Sequence, residues 1–121
     1  MESSIQMRAV PHAVELKGKK YTLLFDMAAF AMAEQTYYLE YGRKCNCGEI
    51  IVEMLDGMTS ALLALTYGAL RSGGEKISYN AFVNEVFTYG QYDMLMDVVE
   101  KALYQAMGAE DAPETDGEAK N

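Results

Sequence analysis

The sequence predicts a mainly α-helical protein with an N-terminal β-hairpin, a four-helix arrangement and a disordered acidic C-terminal tail. Before Asp26 apolar residues recur with a period of two, and after it they recur at steps of three and four. These are the periods of strands and of helices. Beyond Met107 apolar side chains give way to acidic ones, as in segments that do not fold alone. We therefore expect a flexible N-terminal arm over 1–12, one domain over 13–107 and the tail over 108–121.

The hairpin is predicted near residues 14–25. Apolar and polar side chains alternate on both sides of Lys17-Gly18, and Gly18 can adopt the positive φ angle that a tight hairpin turn requires. A third strand over 5–10 is a further option, which Pro11 would end or confine to a sheet edge. Because a two-stranded hairpin is only marginally stable in water, we expect it to pack on the helices or on another chain.

Four helices are predicted after the hairpin, at 27–41, 49–71, 78–89 and 91–107. Asp26 and Ser78 are good N-caps for the first and third of them, and Gly42 ends the first. The second is the longest and carries apolar residues on two faces, which is typical of a helix buried centrally or covered by a partner chain. Gly57 and Gly68 within it each disfavour the helix by about 1 kcal/mol relative to Ala, and they indicate a bend or a close helix contact.

Length and charge limit the functional classes. The 121 residues suffice for one domain. The formal net charge of −8 has the wrong sign for gripping a phosphate backbone. No apolar run approaches the ~20 residues that cross a bilayer, and the N-terminus lacks the basic and apolar stretches of a signal peptide. We therefore expect no nucleic-acid partner and no membrane, and a cytoplasmic location.

The candidate chemical groups do not form a catalytic set. Cys45 and Cys47 could offer two thiolates to a metal ion. The only histidine, His12, lies far away in the chain, so a metal site would need ligands from a partner chain. Carboxylate pairs four residues apart, such as Glu49 and Glu53, usually form a solvated helix face. We therefore predict a protein without enzymatic activity, cofactor or metal, and keep a small enzyme or metalloprotein based on the two cysteines as an alternative.

Methionine and tyrosine are unusually frequent, with nine of each in the chain. Methionine repacks easily and is common on surfaces that accept several shapes, and tyrosine is favoured at protein contacts. The same residues could instead fill the core. On the contact interpretation, the predicted protein-binding residues are Tyr37, Tyr41, Met54, Met58, Leu62 and Leu65. Because the helix 49–71 carries more apolar surface than a small domain is expected to cover, we also predict a homo-oligomer.

Four segments of the chain resemble the small tail assembly chaperones of long-tailed bacteriophages and prophages. Members of that family commonly begin with a strand, a Gly-Lys turn, a Tyr and an alternating strand, and continue with a helix that contains a Glu. A Leu-rich helix, a loop and a capped helix with Phe or Val follow. The corresponding segments here are Lys17–Tyr21, Phe30–Glu34, Leu62–Leu70 and Ser78–Phe82. The resemblance spans about residues 13–88, and the Tyr37–Tyr41 and Cys45–Cys47 segments depart from it.

The resemblance implies a mostly α-helical protein without enzymatic activity that binds the tape-measure and tail-tube proteins transiently while the tail is assembled. It also implies a location in the cytoplasm of the bacterial host and absence from the mature virion. An alternative from a different class is a structural virion component, such as a head–tail connector or a tail-completion protein. Such a component would remain in the finished particle.

Overall fold

The computed structural model describes residues 9–108. Its elements are strands β1 (His12–Leu16) and β2 (Lys19–Leu23) and helices α1 (Met27–Tyr41), α2 (Cys47–Leu55), α3 (Thr59–Ser72), α4 (Tyr79–Ala81) and α5 (Tyr92–Ala106). A π turn over Phe82–Val86 continues α4, and a 3₁₀ turn over Tyr89–Gln91 leads into α5. The predicted fold class, a mainly α protein with an N-terminal hairpin, is confirmed. Residues 1–8 of the predicted arm, including part of the optional third strand, and 109–121 of the predicted tail lie outside the described residues.

The hairpin forms at the predicted turn. Strands β1 and β2 pair antiparallel, with Leu16 opposite Lys19 and His12 opposite Leu23. Lys17 and Gly18 both have positive φ angles, of 53° and 78°, as the type I′ turn of a two-residue hairpin requires. Strand β2 packs on α3 and β1 on α5, so the hairpin is stabilised by the helices of its own chain.

Helices α1 and α3 form the centre of the core. A Cβ atom added at Gly68 would collide with the backbone of Ala29 and approach that of Ala33, so the glycine allows the two helix backbones to lie very close. Asp26 caps α1 as predicted, because its Oδ1 accepts a hydrogen bond from the amide of Ala29 at 2.9 Å. The same oxygen accepts a bond from the hydroxyl of Ser72 at 2.5 Å, which ties the start of α1 to the end of α3.

The prediction of a single long helix over 49–71 is wrong. Two helices, α2 and α3, take its place, and Asp56–Met58 separates them. Gly57 has a φ angle of 97°, which no α-helix accommodates. An unbroken helix of this length would extend about 35 Å, much further than the rest of a small domain could cover. The break lets α2 turn aside and pack beside α3, and the bend that Gly57 indicated is confirmed.

Helix α3 is covered by its own chain. All ten residues of Ala61–Leu70 are buried, because α1, α2, α5 and β2 surround the helix. The apolar surface of α3 therefore needs no partner chain to cover it. The predicted helix 78–89 is also too long. Ser78 caps it as expected, but the π turn ends at Val86 and the backbone of Phe87 is extended.

Candidate protein-binding groove

An apolar groove lies between α2 and α5, and we call it the α2–α5 groove. It has a volume of about 90 Å³ and is lined by Ile51, Met54, Leu55, Glu100, Leu103, Tyr104 and Met107. Six of these side chains are aliphatic, thioether or aromatic. Leu55 and Met107 are 48% and 46% exposed, so apolar atoms at the mouth of the groove contact water.

The groove forms because each helix has more apolar residues on one face than the core buries. In α2 only Ile50 and Met54 are buried, and Ile51 and Leu55 follow each of them by one position. In α5 the buried residues are Leu95, Val99, Ala102, Leu103 and Ala106. Tyr104 and Met107 extend that stripe sideways. The margins of the two stripes face each other across the groove, which is typical of a surface that still has a contact to make.

The size of the groove limits what it can hold. Small-molecule and cofactor sites usually occupy ~300–1,000 Å³ and place several polar groups around the ligand. The α2–α5 groove is several times smaller and presents one carboxylate, that of Glu100. Its dimensions suit one large apolar side chain, in the manner of a knob that enters a hole between helices. Docking of a side chain from another protein is therefore the chemistry that this groove can support.

Helix α2 is held in place by polar contacts with α1. The hydroxyl of Tyr37 donates to Glu53 Oε1 at 2.5 Å, and Arg43 forms an ion pair with the same carboxylate. Burial, followed by the hydrogen bond to Glu53, raises the pKa of Tyr37. At the other end of α2, Glu34 accepts a bond from the amide of Cys47 at 2.8 Å. These contacts hold one wall of the groove before any partner arrives, which lowers the entropic cost of binding.

The first turn of α2 is also capped in its own right. Asn46 accepts a hydrogen bond from the amide of Glu49 at 2.8 Å. In return Glu49 accepts one from the amide of Asn46 at 2.9 Å. This reciprocal capping box satisfies two amides that a helix start otherwise leaves without partners. It explains why α2 begins at Cys47, two residues before the predicted start.

The structure does not bring the six predicted protein-binding residues together on one surface. Tyr37, Met54, Leu62 and Leu65 are fully buried, because their apolar side chains complete the core instead of facing solvent. Of the six, only Met54 lines the α2–α5 groove, at its buried side. Tyr41 and Met58 are exposed by 40% and 44%, but neither lines the groove. The exposed apolar atoms of the groove belong instead to Leu55 and Met107.

Tyr41 belongs to an aromatic cluster that joins α1, α3 and α4. Its hydroxyl is hydrogen-bonded to that of Tyr79, whose ring lies edge-on to Tyr67 with centroids 5.2 Å apart. Tyr67 in turn donates to the carbonyl of Ile77 and accepts from Arg71, both at 2.8 Å. Burial, followed by the Tyr41 contact, raises the pKa of Tyr79. The Tyr41 and Tyr79 hydroxyls pair with one another, and the hydroxyl of the buried Tyr67 has the partners that a buried tyrosine requires.

Cys45 and Cys47 are free and half-buried. Burial, followed by the neighbouring Glu34 carboxylate, raises the pKa of the Cys47 thiol. Metal ligation and nucleophilic attack both need the thiolate, so this environment works against either role. Within residues 9–108, no group of three or more His, Cys, Asp or Glu side chains is placed to hold a metal ion.

Comparisons with protein-family models, with curated proteins and with solved structures found no match. Among the helices of residues 9–108, none is long and apolar enough to cross a membrane. The function must therefore be inferred from the residues of this chain.

Sequence reasoning identified Met54 but missed the rest of the groove. The α5 wall, formed by Leu103, Tyr104 and Met107, belongs to a stripe that predicted a helix correctly without indicating which side of it stays open. The sequence carries a partial signal, because Ile51, Leu55 and Met107 each follow a core residue by one position and are also apolar. Which margin is covered depends on tertiary packing.

Proposed function

We propose that this protein is a non-enzymatic tail assembly chaperone of a long-tailed phage or prophage, and that it binds an apolar helical segment of the tape-measure protein through the α2–α5 groove. The observation that carries the proposal is the groove itself, an exposed apolar hole of about 90 Å³ between two helices. A long helical protein awaiting assembly exposes apolar side chains in rows, and a chaperone for it needs a place to cover them reversibly. Helix-in-groove recognition provides such a contact.

The resemblance to tail assembly chaperones supports the proposal independently of the groove. Its four segments correspond to the hairpin turn at Lys17-Gly18, the capped helix α1, the buried helix α3 and the helix that Ser78 caps. Two carboxylates at the contact between α1 and α2 have structural roles, which is consistent with a binding protein. Glu53 and Glu34 hold α2 against α1, which is a structural use of groups that an enzyme would keep for chemistry.

The proposal extends to the other expected properties of such a chaperone. Its second partner is the tail-tube protein, it acts in the cytoplasm of the bacterial host, and it is absent from the mature virion. Self-association remains part of the proposal because of the hairpin edge, and no longer because of the apolar surface of α3. Within residues 9–108, strand β1 pairs with β2 alone, and a strand edge without a partner is a template for pairing with another chain.

Co-expression with the tape-measure protein tests the proposal. The tape measure should be more soluble with this protein than without it, and the two should copurify. The double variant Leu55→Gln/Met107→Gln places amides in the groove and should abolish copurification. The matched control is Leu39→Gln/Val52→Gln, which changes two exposed apolar residues, 68% and 57% exposed, that do not line the groove. Equal tape-measure solubility in all cultures, with no complex, would refute the chaperone function.

Mass spectrometry of purified virions separates the chaperone from the alternative. A chaperone should be absent from the finished particle. A head–tail connector or tail-completion protein should be present in a fixed copy number. Detection of this chain at a constant ratio to the tail-tube protein would support the structural component instead.

A further inference from the structure

The α2–α5 groove lies at the negative ends of two helices. The carbonyl end of a helix carries roughly half a negative charge. Helix α2 ends at Leu55 and α5 ends at Ala106, and the last turns of both helices line the groove. Neither of these helices, both within residues 9–108, carries a basic residue in its last turn. Their two partial charges are therefore uncompensated by side chains of their own terminal turns.

Two carboxylates add to this potential. Glu100 lines the groove, and Asp56 is the C-cap residue of α2, which directly follows Leu55 of the groove. The nearest lysine on α5, Lys101, forms an ion pair with Asp97 at 3.2 Å, so its charge is already matched.

The charge of this protein is unevenly distributed. Lys17, Lys19 and Lys20 are all exposed at the hairpin turn, which makes that end of the molecule basic. Glu100 lines the groove, and Asp56 directly follows Leu55 of the groove. An apolar hole with negative charge around its mouth attracts an apolar side chain whose neighbours are positive, and it repels one whose neighbours are negative.

We infer that the α2–α5 groove selects a basic amphipathic helix, in which an apolar anchor residue is flanked by Lys or Arg about one helical turn away on either side. The aliphatic part of a Lys or Arg side chain can lie along Leu55 or Met107 while its charge reaches Glu100 or the α2 terminus. This inference rests on the proposed binding role of the groove and adds the chemical class of the partner. It also predicts that binding weakens as salt screens the flanking charges.

The test uses two synthetic helical peptides of equal length with the same leucine positions. One has Lys at the flanking positions and the other has Glu. Binding to the full chain is measured by fluorescence anisotropy at low and at high salt. The Lys peptide should bind about tenfold more tightly than the Glu peptide at low salt, since each charge near a helix end contributes a few-fold. The difference should shrink several-fold at high salt.

Variants assign the selectivity to the groove. Glu100→Gln combined with Asp56→Asn should remove most of the preference for the Lys peptide. Glu40→Gln combined with Glu85→Gln, which also removes two negative charges at exposed positions that do not line the groove, should retain it. Leu55→Gln/Met107→Gln should abolish binding of the Lys peptide, whereas Leu39→Gln/Val52→Gln should not. Circular dichroism and thermal melting of each variant establish that all of them are folded.

The outcomes separate this inference from the proposed function. Equal affinity for the two peptides, or no binding of either, overturns the inference, as does a preference that persists in Glu100→Gln/Asp56→Asn. If the tape-measure protein still copurifies through the groove in that case, the chaperone function stands while the charge selectivity fails. If the Lys peptide is selected through the groove but the tape measure gains no solubility, the inference stands and the chaperone function fails.

Discussion

Helices α2 and α3 are adjacent in the chain and similarly apolar, yet they have opposite relations to solvent. Ten consecutive residues of α3, Ala61–Leu70, are buried. In α2 only Ile50 and Met54 are buried, and Val52 and Leu55 are about half exposed. The difference comes from position, because α3 packs against α1, α2, α5 and β2, while α2 packs mainly against α1 and α3. Apolar composition thus does not determine which helix keeps apolar side chains at the surface, whereas its place in the fold does.

A glycine and a threonine allow Ala61–Leu70 of α3 to be buried. Gly68 lets the α1 backbone approach at Ala29 and Ala33. Thr66 is buried, and its hydroxyl donates to the carbonyl of Leu62 one turn earlier at 2.7 Å, so its polar atom is satisfied within the helix. Because α1 lies against Gly68 and the Thr66 hydroxyl has its partner, α3 is part of the scaffold.

Truncation of one leucine in each helix should give the largest contrast. Leu65 of α3 is fully buried, and Leu55 of α2 is 48% exposed. Leu65→Ala should lower the free energy of unfolding by about 2–5 kcal/mol, through lost burial and the cavity that remains. Leu55→Ala should change it by less than about 1 kcal/mol. Urea denaturation at equilibrium measures both values.

The leucine pair also tests whether α3 belongs to the scaffold. A cost of Leu55→Ala as large as that of Leu65→Ala would mean that the groove is part of the core. It would then be unsuitable as a binding surface.

A pair of glycines provides the next contrast. A Cβ atom at Gly68 would collide with the backbone of α1, which cannot move aside as a flexible side chain can. A Cβ atom at Gly48 of α2 would meet only the side chain of Asn46, at 3.4 Å. Gly68→Ala should therefore cost about 1–3 kcal/mol, although alanine is the better helix former. Gly48→Ala should be neutral or stabilise the protein by up to about 1 kcal/mol. Thermal melting of both variants is sufficient, and a more stable Gly68→Ala protein would disprove the close contact between α1 and α3.

Local signals in the sequence predicted most of the fold. The change of period at Asp26, the Lys17-Gly18 turn and the Gly42 terminator all depend on neighbouring residues, and the structure confirms each of them. The prediction of one long helix over 49–71 failed for a non-local reason. Helical periodicity continues across Gly57, and only the need to fold two apolar segments against one another makes the chain break there.

The candidate site was less predictable than the fold. Leu62 and Leu65 were expected to bind a partner because they are strongly apolar, and they are buried for the same reason. The groove residues Leu55 and Met107 are no more apolar than these. They differ in lying at the margin of a helix contact, and the local pattern does not determine which margin stays open. That depends on how α2 and α5 pack in the folded chain.

The hydrogen bond between Tyr37 and Glu53 provides a test with a smaller expected effect, because it joins the partly exposed helix α2 to α1 of the core. Tyr37→Phe removes the hydroxyl and should cost about 1 kcal/mol. The loss should be local, so amide hydrogen exchange should speed up in α2 and stay nearly unchanged in α3. Tyr67→Phe serves as the control, since its hydroxyl bonds Ile77 and Arg71 and contacts no part of α2. Equal acceleration in α2 and α3 would mean that the two helices unfold as one unit.

The smallest expected effect is a dependence on alkaline pH. The pKa values of Tyr37 and Tyr79 are raised in the folded protein, above all by burial, so the unfolded chain releases these protons first, near the ordinary tyrosine value of about 10. A raised pKa of this kind contributes stability that is fully present below about pH 10 and is lost as the pH rises further. The free energy of unfolding should therefore fall between roughly pH 9.5 and 11, the range over which unfolded tyrosines ionise. It should fall less steeply with pH in the Tyr37→Phe and Tyr79→Phe variants. If both variants follow the slope of the unmodified protein, other groups cause the alkaline loss, and the bond between α1 and α2 is insensitive to pH.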